Sequence, residues 1–383
     1  MNDHANRALL PAGLRDILPP DAEHEAAVVG RLMDHFAQQG YQRVKPPLIE
    51  FEDSMLSGAG AATGAQAFRV MDPLSQRMMA VRADMTPQVA RIATARLGGE
   101  ARPLRLSYSG QVLRVKGSQL RPERQFGQAG IELIGSNSAA ADAEVVVLVA
   151  EALSELGVAG VSVDLSLPTL VPALFADLGL ASEVSEALRG AIDHKDAAVV
   201  AAEGGRAAEM LLALLKAVGP ADRALEVLGA LALPSAAAAE RDRLAEVVAL
   251  VRAAMPELTL TVDPVENRGF EYHAGVAFTL FGRSAGGELG RGGRYLAGGV
   301  EPATGATLFM DTVLAALPGP RPAGRVFVPA GTPRPWAQAL RAQGWVTVAG
   351  LEPVADPDAE AKRQGCGSVL TAEGVKTIEE RGR

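Results

Sequence analysis

A short apolar stretch between two unusual segments is the feature that most limits how this chain can fold. Residues 276–281 read VAFTLF, a mixture of aromatic and β-branched residues that is typical of a buried strand. The segment before it, residues 267–273, reads NRGFEYH, and the segment after it, residues 286–295, reads GGELGRGGRY. Glycines let the backbone approach a ligand closely, so we expect the second segment to form a ligand-facing turn. The first segment offers groups that suit a zwitterionic small molecule, although an exposed hairpin with a salt bridge accounts for them equally well.

Length, charge and cysteine content exclude several classes of protein. A chain of 383 residues predicts two or three domains, and its net charge of −8 argues against a nucleic-acid-binding surface. Arginines nevertheless cluster between Arg102 and Arg124. The single Cys366 excludes an internal disulfide and a thiolate-rich metal site. The apolar run 145–150 is too short to span a bilayer and residues 1–7 lack a secretory signal, so we expect a cytoplasmic protein.

Two polar side chains precede a predicted helix that runs to about residue 97. Thr86 has the chemistry of a helix N-cap, and Pro87 suits the first helical turn. Asp84 lies two residues before Thr86 on the same loop. Asp84 and Thr86 either cap the helix and do nothing more, or they face the ammonium group of a ligand.

The predicted strand at residues 124–135 carries polar groups on a face that core strands fill with aliphatic ones. With a period of two residues, one face carries Arg124, Phe126, Gln128, Gly130 and Glu132. Buried polar groups require hydrogen-bond partners. We therefore expect this face to be the floor of a polar pocket.

The order of predicted elements divides the chain into five segments. Residues 169–256 are helical in pattern and interrupt a core formed by residues 1–168 and 257–317. Residues 318–324 are rich in proline and glycine and predict a linker. Residues 325–383 alternate strands and helices, which predicts a small α/β unit.

These motifs resemble the core of the class II aminoacyl-tRNA synthetases, and most closely that of histidyl-tRNA synthetase, over residues 8–317. The segment around Pro47 resembles the first class II motif, which builds a homodimer interface, and residues 113–135 resemble the second. RGFEYH at residues 268–273 is similar to the histidine-specific RGLDYY signature, and GGRY at residues 292–295 matches a second family motif. The resemblance implies an α+β fold: an antiparallel sheet flanked by helices, with a helical insertion and a small C-terminal α/β unit.

The resemblance also implies a set of L-histidine-binding residues. They are Asp84, Thr86, Arg114, Gln128, Glu132, Arg268, Tyr272 and Tyr295, with Arg124 and His273 as further candidates. Acidic and hydroxyl groups suit the ammonium, and Arg268 suits the carboxylate. Gln128, Glu132 and Tyr272 are placed to reach either the ammonium or the imidazole. His273 stands where the family has another aromatic residue.

Two departures from the synthetase pattern predict a protein without catalytic residues. Lys116 stands where the second motif has a glutamate that holds ATP, and residues 305–317 lack the arginine that clamps the phosphates. Losing one such charge-stabilising group costs on the order of 10²–10³ in rate. A synthetase-like chain of this kind resembles the regulatory subunits of ATP phosphoribosyltransferase in histidine biosynthesis.

That resemblance implies partners and a form of regulation. In that family the subunit forms a homodimer within a hetero-octamer with a short-form catalytic subunit, is required for activity, and mediates L-histidine feedback inhibition. No cofactor, metal, membrane or functional tRNA binding is expected. Two alternatives remain: an active histidyl-tRNA synthetase, and an amino-acid ligase or tRNA-binding module of the same fold.

Overall fold

The computed structural model describes residues 9–56, 60, 64–117, 121–267, 272–320 and 324–378. The chain separates into two compact units, Met1–Gly319 and Pro320–Arg383. Within the described ranges, no helix combines the length and the apolar character needed to cross a membrane. The division into five segments remains a prediction.

Strands are concentrated before and after a largely helical region at residues 170–254. In order, the strands are β1 (Gln42–Arg43), β2 (Ile49–Phe51), β3 (Arg69–Met71), β4 (Met78–Val81), β5 (Leu104–Leu113), β6 (Gln125–Ile134), β7 (Ser162–Ser166), β8 (Gly219–Pro220), β9 (Thr259–Asp263), β10 (Ala277–Phe281), β11 (Gly290–Ala297), β12 (Glu301–Phe309), β13 (Arg325–Val328), β14 (Val346–Ala349), β15 (Ser368–Thr371) and β16 (Gly374–Thr377). The helices are α1 (Asp21–Gln38), α2 (Glu52–Met55), α3 (Thr86–Ala95), α4 (Ala139–Leu156), α5 (Leu170–Asp177), α6 (Ser182–Asp193), α7 (Ala197–Glu203), α8 (Ala208–Lys216), α9 (Ala221–Gly229), α10 (Ser235–Ala254), α11 (Met310–Ala316), α12 (Arg334–Ala342) and α13 (Pro357–Arg363).

Nine strands of the described residues form the main sheet, in the order β1-β5-β6-β12-β11-β10-β7-β9-β8. The β1–β5 and β7–β9 ladders are parallel, whereas the central strands β5, β6, β12, β11, β10 and β7 pair antiparallel. A predominantly antiparallel sheet with helices packed on it is the predicted α+β class, which is confirmed.

Helix α4 supplies much of the core behind the sheet. Val145, Val149 and Leu153 are fully buried, as expected for a helix that is apolar on nearly all sides. Helices α1 and α10 pack against α4. Ser138 caps the helix by accepting a hydrogen bond from Ala141 N at 3.2 Å, and Gly157 ends it with a φ of 100°.

The region between β7 and β9 is helical, as predicted, with one exception. Strand β8 is two residues long and pairs with β9 at the edge of the main sheet. Buried residues of α6, α8 and α10 join the core cluster that contains α4. This region therefore shares its core with the sheet.

Two details of the predicted strands were wrong. The alternation at residues 104–108 and 111–115 predicts two strands, but Leu104–Leu113 form one continuous strand, β5, in which Gly110 pairs with Gln128 in the ladder. The glycine-rich segment is no turn from Gly290 onward but a central strand, β11. Its glycines serve close packing: a Cβ on Gly292 would lie 2.5 Å from Phe278 Cζ.

Two smaller sheets complete the described structure. Strands β2, β4 and β3 lie side by side in the first unit, with β2 at an edge, as the prolines before it predict. In the second unit the order is β14-β13-β15-β16, with the first three strands parallel. Strand β16 was not predicted.

Candidate functional site

A small polar cavity opens on the face of the main sheet opposite α4. Its free volume is about 30 Å³, enough for one water molecule, so a larger ligand requires the lining to move. The lining residues come from the loop before α3 and the first residue of α3, from β6, β11 and β12, and from the segment before β10. They are Asp84, Thr86, Glu132, Tyr272, His273, Arg291, Gly292, Gly293, Tyr295, Gly305, Ala306, Thr307 and Phe309.

Glu132 on β6 is the buried acid of this cavity. Its side chain is 0% exposed. Tyr295 donates a hydrogen bond to Oε2 at 2.9 Å, and Tyr108 donates to Oε1 at 3.4 Å. Burial raises the pKa of Glu132 to about 8, and the nearby Asp84 carboxylate adds to that rise. A cationic group of a ligand would favour the ionised form of Glu132.

Hydroxyl groups connect Glu132 to both neighbouring strands. The Tyr108 hydroxyl lies 2.7 Å from Thr307 Oγ1 and 3.1 Å from Thr86 Oγ1. Burial raises the pKa of Tyr108, and of Tyr295, well above its usual value, which keeps both phenols protonated donors. Tyr108 and Thr307 are not among the residues predicted for this site. The sequence feature that could have indicated Tyr108 is Gly130, which lies opposite it in the β5–β6 ladder. Because Gly130 has no side chain, it leaves room for the phenol ring of Tyr108.

Thr86 does not play the capping role expected of it, whereas Asp84 accepts a backbone hydrogen bond at the start of the helix. Helix α3 begins at Thr86, and Asp84 Oδ1 accepts from Thr86 N at 2.8 Å, so Asp84 rather than Thr86 satisfies the backbone there. Both side chains also line the cavity. Gln128 is buried and does not line the cavity itself. It contacts the loop that does: its Oε1 accepts from Met85 N at 3.1 Å, and its Nε2 lies 3.5 Å from Asp84 Oδ2.

Tyr272 and His273 form one wall of the cavity. Their ring centroids are 4.2 Å apart, and Tyr272 meets Tyr295 edge-to-face at 6.2 Å. His273 is buried, and Gly293 is its close neighbour on β11, since a Cβ there would lie 2.5 Å from His273 Cδ2. The predicted carboxylate-binding residue, Arg268, lies outside the described residues.

Arginines line a second cavity of about 690 Å³, which shares Arg291 with the first. The guanidinium of Arg121 stacks on Phe309 at 3.9 Å and pairs with Asp311 at 3.2 Å. Arg291 pairs with Glu288 at 2.6 Å. Arg121 and Arg291 therefore engage the chain's own acids and an aromatic ring, beside a helix α11 that carries no arginine.

Two predicted arginines lie apart from the small cavity. Arg114 lines the larger cavity with Lys116, and burial lowers the pKa of its guanidinium. Arg124 lines neither cavity: it donates to Arg114 O at 3.2 Å and Ala12 O at 3.1 Å. Across the described part of the chain, no group of three or more His, Cys, Asp or Glu side chains is arranged to hold a metal ion.

The fold is that of a known class of protein. The family model described as histidyl-tRNA synthetase matches residues 13–313. A solved structure titled as an ATP phosphoribosyltransferase regulatory subunit/histidyl-tRNA synthetase from Bacillus halodurans superposes with a TM-score of 0.79 at 24% identity, covering 93% of this chain and 96% of that chain. The predicted class II synthetase-like fold is thereby confirmed.

Curated relatives narrow the class. An ATP phosphoribosyltransferase regulatory subunit from Paramagnetospirillum magneticum is 71% identical over 99% of this chain and 100% of its own length. One of the same name from Rhodospirillum centenum is 58% identical over 98% of this chain and 97% of its own length. The chain belongs to the family of ATP phosphoribosyltransferase regulatory subunits, within the histidyl-tRNA synthetase fold.

Proposed function

We propose that the chain is a non-catalytic regulatory subunit that activates a short-form ATP phosphoribosyltransferase and mediates its feedback inhibition by L-histidine. The observation that carries this proposal is the 71% identity to a regulatory subunit along 99% of the chain. The protein partner is the catalytic subunit of that enzyme. We place the activity in the cytoplasm, at the first step of histidine biosynthesis.

The larger cavity supports a non-catalytic role. Phosphate-handling sites keep cations directed at the ligand, because those cations stabilise the charge that develops during transfer. Here Arg121 and Arg291 bind Asp311 and Glu288, and Lys116 replaces an acid that the synthetase family uses for ATP. Adenylate formation requires cations directed at the phosphates of ATP, whereas Arg121 and Arg291 are directed at carboxylates of their own chain.

The small cavity supports L-histidine as the effector. Asp84, Glu132 and the hydroxyl of Thr86 suit the ammonium and the imidazole, which carry N–H donors. Tyr272 and His273 present flat rings on which an imidazole can stack. Histidine inhibits the assembly only if it binds one arrangement better than another, and the narrowness of the cavity means that its occupation moves the lining.

Exposed apolar side chains on the small β2-β4-β3 sheet and in the loops beside it support self-association. They are Leu48, Ile49, Val70, Met71, Leu74 and Met78. Exposed apolar patches and unpaired edge strands mark contact surfaces between proteins. We propose a homodimer through this sheet, within the hetero-octamer. Light scattering on the isolated chain should return twice the mass of one chain, and the mass of a monomer would contradict the homodimer.

The decisive experiment is an activity assay with a short-form catalytic subunit. Adding this chain should raise the rate of ATP phosphoribosyl transfer, and adding L-histidine should reverse the increase. An equal concentration of an unrelated protein controls for nonspecific stabilisation. No activation would contradict the regulatory role, and histidine-dependent ATP–pyrophosphate exchange would then establish an active synthetase or ligase.

A further inference from the structure

A single buried carboxylate lies directly behind the small cavity, on the opposite face of the sheet. Asp142 belongs to the first turn of α4 and is 1% exposed. Its Oδ1 accepts from Arg294 Nη2 at 2.8 Å and from Thr304 Oγ1 at 2.5 Å, and its Oδ2 accepts from Arg294 Nε at 3.2 Å. Both donors belong to strands that also line the cavity.

Arg294 and Thr304 are opposite each other in the ladder between β11 and β12. Successive side chains of a strand point to opposite faces of the sheet. The neighbours of this pair therefore face the cavity: Gly293 is opposite Gly305, and both line it, as does Tyr295. One carboxylate thus ties two strands together from behind at the level where their front faces form the pocket floor.

The remaining hydrogen bonds of Arg294 fix it to the segment that leads into α4. Its guanidinium also donates to Asn137 Oδ1 at 2.9 Å, Ser138 O at 2.9 Å and Ser136 O at 3.2 Å. Its backbone accepts from Ala274 N at 2.7 Å. A shift of Arg294 would therefore also move the segment that follows Tyr272 and His273.

The helical region reaches the same carboxylate from another direction. Arg243 on α10 lies 3.6 Å from Asp142 Oδ2 and donates to Asn137 O at 2.9 Å. Helix α4, helix α10 and strands β11 and β12 consequently meet at one buried charge. Buried ionic groups are expensive to desolvate, so a cluster of this kind is weak evidence for stability.

We propose that Asp142 is a positioning residue for the effector pocket, holding β11 and β12 in the register that places Tyr295 and Gly305 around Glu132. This inference rests on the proposed function, since it concerns the same L-histidine site. Ligand-binding groups must be held to within about 0.5 Å by supporting contacts, and the Asp142 cluster supplies those contacts from behind the sheet.

The test acts on Asp142 through Thr304, because replacing Asp142 itself would leave Arg294 buried without its counter-charge. Thr304→Val removes one hydroxyl donor and keeps the shape, and Thr304→Ser restores the donor. Thr261→Val is the matched control: Thr261 Oγ1 donates to Asp164 Oδ1 at 2.6 Å, between β9 and β7 of the same sheet, and neither residue lines the cavity.

L-Histidine binding to the full-length chain is measured by calorimetry for the wild type and the three variants. We expect Thr304→Val to weaken binding by about tenfold, a change of 1.4 kcal/mol, while Thr304→Ser and Thr261→Val stay close to the wild type. Thermal unfolding of both valine variants measures how much stability each has lost. A purely structural role for Thr304 would predict the same effect in the two variants.

Each outcome separates the positioning role from the proposed function. Equal weakening by Thr304→Val and Thr261→Val would mean that lost stability alone explains the effect, and would overturn the positioning role. Unchanged affinity in Thr304→Val, with a wild type that binds, would also overturn it while leaving the effector site intact. A wild type that does not bind L-histidine would reject the effector part of the proposed function and this inference with it.

Discussion

Replacing Glu132 by alanine is expected to weaken L-histidine binding by on the order of 100-fold, since hydrogen bonds to charged groups contribute about 1.5–3 kcal/mol and 1.4 kcal/mol is tenfold. The side chain is fully buried, and Tyr108 and Tyr295 direct their hydroxyls at it. Its removal takes away the acid that would meet a cationic or N–H group of the ligand. Isothermal titration calorimetry with L-histidine measures the change.

Two further variants make this result specific. Glu132→Gln keeps the shape and loses the charge, so it should bind better than the alanine variant and worse than the wild type. Glu144→Ala removes a different acid, which pairs with Arg105 at a distance of 2.7 Å and does not line the cavity. This variant should leave the affinity for L-histidine unchanged. An unaltered affinity in Glu132→Ala, against a wild type that binds, would remove the pocket assignment.

The raised pKa of Glu132 predicts how the free energy of unfolding depends on pH, and how Glu132→Gln changes that dependence. Its pKa is raised from 4.5 to about 8 by burial, so between these values the folded chain retains a proton that the unfolded chain has lost. The free energy of unfolding contributed by this group therefore falls as the pH rises from about 4.5 to about 8, and is constant outside that window. Glu132→Gln should flatten this dependence in denaturant titrations across the window. An identical pH dependence in the two proteins would contradict the raised pKa.

Replacing Gly305 by alanine is expected to disrupt the site strongly. A Cβ there would lie 1.7 Å from Glu132 Oε2, so the buried carboxylate of Glu132 would have to move. Overpacking a closed core costs about 1–3 kcal/mol or more, so the free energy of unfolding should drop and histidine binding should be lost. Denaturant unfolding and calorimetry measure the two effects.

A double variant tests whether the clash is the cause. Glu132→Ala removes the atoms that the new methyl group would strike, so Gly305→Ala should cost much less stability in that background. Gly190→Ala is the matched control, because a Cβ at Gly190 in helix α6 meets no atom within 4 Å. Strictly additive losses in the double variant would contradict a direct clash between residues 305 and 132.

Local pattern was sufficient to predict most elements of the fold. The alanine- and valine-rich run at residues 139–156 predicted a helix, and helix α4 has these bounds. The alternation at residues 124–135 predicted that Gln128 and Glu132 share a polar face, and both are buried on β6. These features depend on neighbours in sequence, which the chain shows directly.

The sequence by itself determined the family, the helices, and the residue types that make a polar pocket. Only the tertiary structure decided that Tyr108 and Thr307 complete that pocket, that the glycine-rich segment is strand β11, and that Asp142 supports it from behind. The physical reason is distance along the chain: Thr304 and Asp142 are 162 residues apart, and Tyr295 and Glu132 are 163 apart. Such contacts depend on strand order and register, which no local periodicity encodes.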